Sequence, residues 1–195
     1  YQKNNQSYRM LMNVCYLVIT GLILSTEKGE VKLATFLDDR AMHSLYEKFI
    51  LEYYRYHHPE YKANPDTIPW DIDDGMIEFL PAMVTDITLK HGGRTLIIDA
   101  KYYAHTMQSQ YDVQSIHSGN LYQVFTYVKN LDKNNTGNVA GMLLYAKTQE
   151  QITPNNKYSM GGNTLWVKTL DLNLPFSQIA EQLEKIAGDY FGKNE

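Results

Sequence analysis

Apolar residues along the chain recur at two different spacings, and the switch between them lays out the elements. Over residues 6–24, Tyr8, Leu11, Met12, Cys15, Ile19, Leu22 and Ile23 follow helical spacing. Thr26 to Glu30, with Gly29, is a polar break. A second helix is predicted from about Arg40 to His57, with Asp38 or Asp39 placed to cap its first turn. Its apolar face is Met42, Leu45, Tyr46, Phe49, Ile50 and Tyr53, with Glu47 at the margin. Pro59 stops it, because the residue before a proline resists helical angles.

Beyond a polar loop over 58–67 and a short predicted strand over 68–72, the spacing changes to that of strands. MVTDITLK, the turn HGGR and TLIIDAKYY read as a β-hairpin closed by a glycine pair. Ser118 to Leu131 is again helical, with Leu121, Val124, Phe125 and Val128 as its buried stripe. VAGMLLYAK over 139–147 is a buried strand, 163–172 another, and Pro175 opens a last amphipathic helix to about Tyr190. The order predicts an α/β fold, one central mixed sheet flanked by helices. Two units are expected: an N-terminal helical segment over 1–37 and a main domain over 38–195.

Composition narrows this picture. With 44% hydrophobic residues and sixteen tyrosines, the 195 residues can bury a full core. One cysteine, Cys15, excludes an internal disulfide and a multi-cysteine zinc site, and fits a reducing, cytoplasmic setting. The longest apolar run, Val14 to Leu24, falls short of the roughly 18–20 residues that span a bilayer, so no membrane association is expected. Net charge is −4, but it is unevenly spread. Residues 26–80 carry six Lys/Arg against twelve Asp/Glu, whereas 81–170 carry eight against five. The hairpin thus lies in the basic part of an acidic chain, which suits a phosphate-bearing ligand without requiring one.

The candidate chemistry is on that hairpin. An acid two residues before a lysine occurs three times, at Glu30-Val31-Lys32, Glu60-Tyr61-Lys62 and Asp99-Ala100-Lys101. Only the third follows an apolar strand, which would hold both side chains on one rigid face. With a four-residue loop, His91 to Arg94, Lys90 pairs with Thr95 and Asp86 lies opposite Asp99. A three-residue loop would turn Asp86 to the other face. Two facing carboxylates repel unless a cation neutralises them, and all-oxygen ligands suit Mg²⁺, with Mn²⁺ as a substitute. The plainer alternative is a pair of ordinary strand carboxylates with Lys101 in a cross-strand ion pair. Against it, strand interiors disfavour Asp.

The strings LPAMVTDITL and TLIIDAKYY, with LYEKFILEYY (45–54) and NLYQVFTYVKN (120–130), resemble the McrC family. These are nuclease subunits of modified-cytosine-dependent restriction systems in the PD-(D/E)xK superfamily. The similarity spans roughly residues 6–147. It implies a restriction-endonuclease-like core and Mg²⁺-dependent cleavage of double-stranded DNA to 5′-phosphate ends. It further implies licensing by a separate AAA+ GTPase partner, and is compatible with an oligomer. Carried over residue by residue, Asp86 matches the first metal-binding acid, Asp99 the second, Lys101 the catalytic lysine and Glu47 the acid of the first core helix. Ala100 joins Asp86, Asp99 and Glu47 in the implied metal-binding set, and Gln123 and Tyr127 match a Gln…Tyr pair beside the active site. Thr85 stands where the superfamily motif has proline. A competing reading makes the chain a binding or assembly module on a nuclease fold, anchored through the apolar 6–24 helix, with cleavage weak or lost. A third keeps the nuclease but directs it to recombination or repair intermediates.

Overall fold

The computed structural model describes residues 39–102, 107–110, 113–147 and 153–192. The expected 6–24 helix and the 1–37 segment lie outside them. The chain enters at helix α1, Asp39–His57, and forms a two-residue strand β1, Thr67–Ile68, which pairs antiparallel with β2, Met83–Val84. β3, Ile87–His91, and β4, Arg94–Lys101, form the expected hairpin. A small antiparallel ribbon follows, β5 at Met107–Gln110 and β6 at Val113–Ile116. Helix α2, Ser118–Leu131, leads to β7, Val139–Ala146, then β8, Asn156–Met160, β9, Asn163–Leu170, and helix α3, Phe176–Phe191. The main sheet has the order β3-β4-β7-β9-β8, parallel at β4·β7 and β7·β9 and antiparallel at both edges. This is the mixed α/β sheet of a restriction-endonuclease-like core.

Alternation along the strands divides the core in two. Leu96, Ile98, Ala100, Met142, Leu144 and Trp166 pack with Tyr46, Ile50, Tyr53 and Tyr54 of α1 and Leu183 and Ile186 of α3. Ile97, Leu143, Tyr145, Leu165 and Val167 pack with Val124, Tyr127 and Val128 of α2. Helix α2 approaches the sheet over Gly141, where a Cβ would stand 2.6 Å from Leu165, 2.8 Å from Val124 and 2.9 Å from Val128. No helix among the described residues is long and apolar enough to cross a membrane.

Three expectations change. The hairpin turn is two residues, Gly92 and Gly93 (φ +56° and +76°), because His91 and Arg94 also pair. Positive φ at both positions makes the tight turn whose twist matches the strands. The pairing register is nevertheless the expected one, with Lys90 opposite Thr95. The strand expected over 68–72 shrinks to Thr67–Ile68 and joins β2 instead of the main sheet. Strands β5, β6 and β8 were not expected at all.

Candidate active site

The site is built where β3 stops and β4 continues. Pairing ends at Ile87 opposite Ile98, because β2 has turned away to pair with β1. The bend is fixed by buried Thr85. Its N–H donates to Asp66 O at 2.9 Å, its Oγ1 accepts from Asp66 N at 2.9 Å, and Oγ1 lies 2.8 Å from Thr88 Oγ1. A hydroxyl therefore fixes the backbone just before Asp86. Asp86 is the residue just before β3, and its charge acts on Asp99. Beyond the end of β3 the Ala100 N–H has no strand partner on that side, and it donates to Asp86 Oδ2 at 2.8 Å. The carboxylate replaces a missing ladder acceptor.

Asp99 and Lys101 lie on β4 with the same parity as Ile97, and both are buried, 1% and 7% exposed. Lys101 Nζ stands 2.9 Å from Asp99 Oδ2 as an ion pair. Among the described residues, no donor other than Lys101 reaches the Asp99 oxygens. A buried carboxylate normally collects such donors, so these two oxygens are unusual. Burial pushes the Asp99 carboxyl up to about 7; Lys101 pulls it down and Asp86 pushes it further up. Burial likewise raises Asp86, against the opposing pull of Lys101 and the Ala100 N–H.

Glu47 comes from α1. Burial raises its carboxyl to about 7, Asp86 adds to the rise, Lys101 offsets part of it, and Asp99 adds more. Its charge is thus in electrostatic reach of all three hairpin groups. Sequence reasoning missed His43, one turn earlier on α1. Its Nε2 lies 2.8 Å from Glu47 Oε1, and its Nδ1 accepts the Tyr102 N–H at 3.2 Å. Burial and then the Lys101 charge hold its pKa below the usual 6.5. The signal was available: His and Glu at i and i+4 face each other on a helix.

Gln123 is placed differently from the acids. Its Nε2 donates to Tyr127 OH at 3.0 Å, and Tyr127 OH donates to Val84 O at 3.2 Å. The pair ties α2 to β2, two residues ahead of Asp86. Gln123 therefore bears on Asp86 through the backbone of β2. Ala100 contributes the N–H just described.

The donor set fits a hard cation. The Lys101 ammonium acts on three carboxylates, Glu47, Asp86 and Asp99, and is paired to Asp99 at 2.9 Å. Among the described residues, no three His, Cys, Asp or Glu groups already meet around one point. Mg²⁺ does not need that, since it is commonly held by one or two carboxylates with waters completing the octahedron.

Residues 1–146 match the family model described as the McrBC 5-methylcytosine restriction system component. The chain is 29% identical over 192 residues to the Type IV methyl-directed restriction enzyme EcoKMcrBC of Escherichia coli (strain K12). That match covers 96% of this chain and 55% of the relative, so the chain spans about half the length of the protein it resembles. On this evidence the chain belongs to the family of McrBC 5-methylcytosine restriction system components.

Proposed function

We propose that the chain is the cleaving part of its restriction system, a Mg²⁺-dependent endonuclease of the PD-(D/E)xK type acting on double-stranded DNA. The observation that carries this is Asp99: a buried carboxylate pushed up to about 7, paired to Lys101 at 2.9 Å and under the charge of Asp86. Asp86, Asp99, Ala100 and Glu47 would hold the metal. When bound, Mg²⁺ supplies Lewis-acid polarisation of the scissile phosphate and lowers the pKa of water beside it.

The chain's own residues do the rest. Asp86 and Asp99 set the position of the scissile phosphate by fixing where positive charge sits beside β4. Lys101 Nζ, held by Asp99, orients the attacking water and offsets the charge that builds on the phosphate oxygens. Water adds to phosphorus, the bond to the 3′ oxygen breaks, and the products are a 5′-phosphate and a 3′-hydroxyl. Gln123 and Tyr127 keep β2, and with it Asp86, in register. The nuclease unit is residues 38–195, it works in the cytoplasm, and a separate AAA+ GTPase that reads the modified base licenses it.

The test is cleavage of duplex DNA containing 5-methylcytosine by the chain with its co-expressed GTPase component, GTP and Mg²⁺. Asp99→Asn and Lys101→Ala are each expected to lose about 10²–10³-fold in rate while keeping the fold by circular dichroism. Wild-type cleavage by either variant overturns the assignment. A wild-type complex that assembles but never cuts favours the assembly-module reading instead.

A further inference from the structure

His43 is occupied at both ring nitrogens, and the two contacts together fix its chemistry. We propose that His43 is a positioning residue that orients the Glu47 carboxylate and references it to the end of β4, working in the neutral tautomer with its proton on Nε2. The inference rests on reading Glu47 as a member of the metal site.

The tautomer follows from the partners. A backbone N–H can only donate, so Nδ1, 3.2 Å from Tyr102 N, carries no proton. A neutral ring then carries its proton on Nε2, 2.8 Å from Glu47 Oε1. Protonating Nδ1 would break the Tyr102 bond. Carboxylates more often orient a metal-binding histidine; here the imidazole orients the carboxylate, to the same effect.

The arrangement answers two mechanical needs. Glu47 sits on a side chain with three torsions, near the like charges of Asp86 and Asp99, which repel it outward. A neutral N–H donor holds it in without adding a positive charge that would compete with the metal. Tyr102, moreover, directly follows Lys101. The ring is thereby anchored to the strand that carries Asp99 and Lys101, and Glu47 is positioned against that strand as well as against its own helix.

The variants separate the two contacts. The Asn amide of His43→Asn reaches about as far as Nδ1, so it keeps the Tyr102 bond and falls short of Glu47. The Gln amide of His43→Gln reaches about as far as Nε2 and can still donate to Glu47. Metal affinity is read by Mn²⁺ electron paramagnetic resonance on the purified chain, and the tautomer by long-range ¹H–¹⁵N correlation of the metal-free protein. His43→Ala and His43→Asn are expected to weaken Mn²⁺ binding about 10-fold, and His43→Gln to recover most of that loss. In a Glu47→Gln background, His43→Ala should add nothing, because it acts through Glu47.

Wild-type affinity in His43→Ala, an Nδ1–H tautomer, or an equal loss with and without Glu47 would each overturn the inference. A purely structural role predicts lowered thermal stability in all three His43 variants with no recovery of affinity by Gln. Failure of the underlying metal reading looks different: wild type itself takes up no Mn²⁺.

Discussion

Asp99 and Asp132 are both withdrawn from solvent, 1% and 3% exposed, yet their surroundings are opposite. Asp132 follows α2 and accepts from Thr136 N at 2.8 Å, Thr136 Oγ1 at 2.7 Å, Gly137 N at 2.9 Å and Asn163 Nδ2 at 2.6 Å. Asn163 also donates to Val139 O, so one carboxylate joins the end of α2, the start of β7 and the β8–β9 turn. Burial alone would raise its pKa, but the donors from Thr136, Asn163 and Gly137 bring it down to about 2. Asp99 has a lysine beside it and no other donor among the described residues, and burial drives it up to about 7. Burial by itself therefore does not mark a functional acid. A carboxylate met by several backbone and side-chain donors holds structure together, whereas one held by a single lysine is the candidate for a functional role.

The largest expected effect is on cleavage. Asp99→Asn should cost about 10²–10³-fold in rate, while Asp132→Asn should cleave normally per folded molecule, both read by single-turnover assay. The next effect reverses the order. Asp132→Ala leaves four donors, from Thr136, Gly137 and buried Asn163, without their acceptor and should destabilise by about 2–4 kcal/mol, seen as a thermal midpoint about 5–10 °C lower. Asp99→Asn should raise the midpoint of the metal-free chain by a few degrees, since it removes one of three acids gathered around a single lysine.

Acid titration sharpens the contrast because the two signs differ. Asp132 has its folded pKa below the ordinary 3.8, so its stabilisation is present above 3.8 and is lost as pH falls toward 2. Asp99 has its folded pKa above 3.8, so the metal-free fold is favoured below that value and loses the advantage as pH rises through about 7. The thermal midpoint of Asp99→Asn should accordingly fall less between pH 4 and about 7 than that of wild type.

The smallest effect belongs to His58, at the far end of α1. Its Nε2 lies 2.6 Å from Glu184 and its Nδ1 2.9 Å from Glu60. Burial opposes its charge, but the two carboxylates raise its pKa above 6.5. That contribution is full below 6.5 and fades as pH rises through the folded value. His58→Gln should lower the midpoint by only a degree or two, about 0.5 kcal/mol, and only on the acid side.

Much of this contrast was legible in the sequence on one side only. The register expected from a His91–Arg94 loop, with Lys90 opposite Thr95, is the one observed, although alternation does not fix it, because Leu96, Ile97 and Ile98 are all buried. That register alone brings Asp86, Asp99 and Lys101 together. Glu47 showed itself as an acid at the edge of an apolar helical stripe. Asp132 did not show: in NLDKNNTGN it reads as one more polar residue of a loop, and its partner Asn163 is thirty-one residues away. His43 is one of six histidines scattered along the chain and stands out in no metal-ligand spacing. Strand β8 escaped because its sequence, NKYSM, is almost wholly exposed at the sheet edge and lacks apolar alternation. The β5–β6 ribbon, MQSQ and VQSI, carries the same weak pattern.

The central claim is that Asp99, held by a single lysine, belongs to a metal site. Calorimetric titration of Mg²⁺ into wild type, Asp99→Asn and Asp132→Asn tests it most directly. Uptake by wild type and by folded Asp132→Asn, with none by Asp99→Asn, is the predicted result. Equal uptake by wild type and Asp99→Asn, or none by wild type, would contradict it.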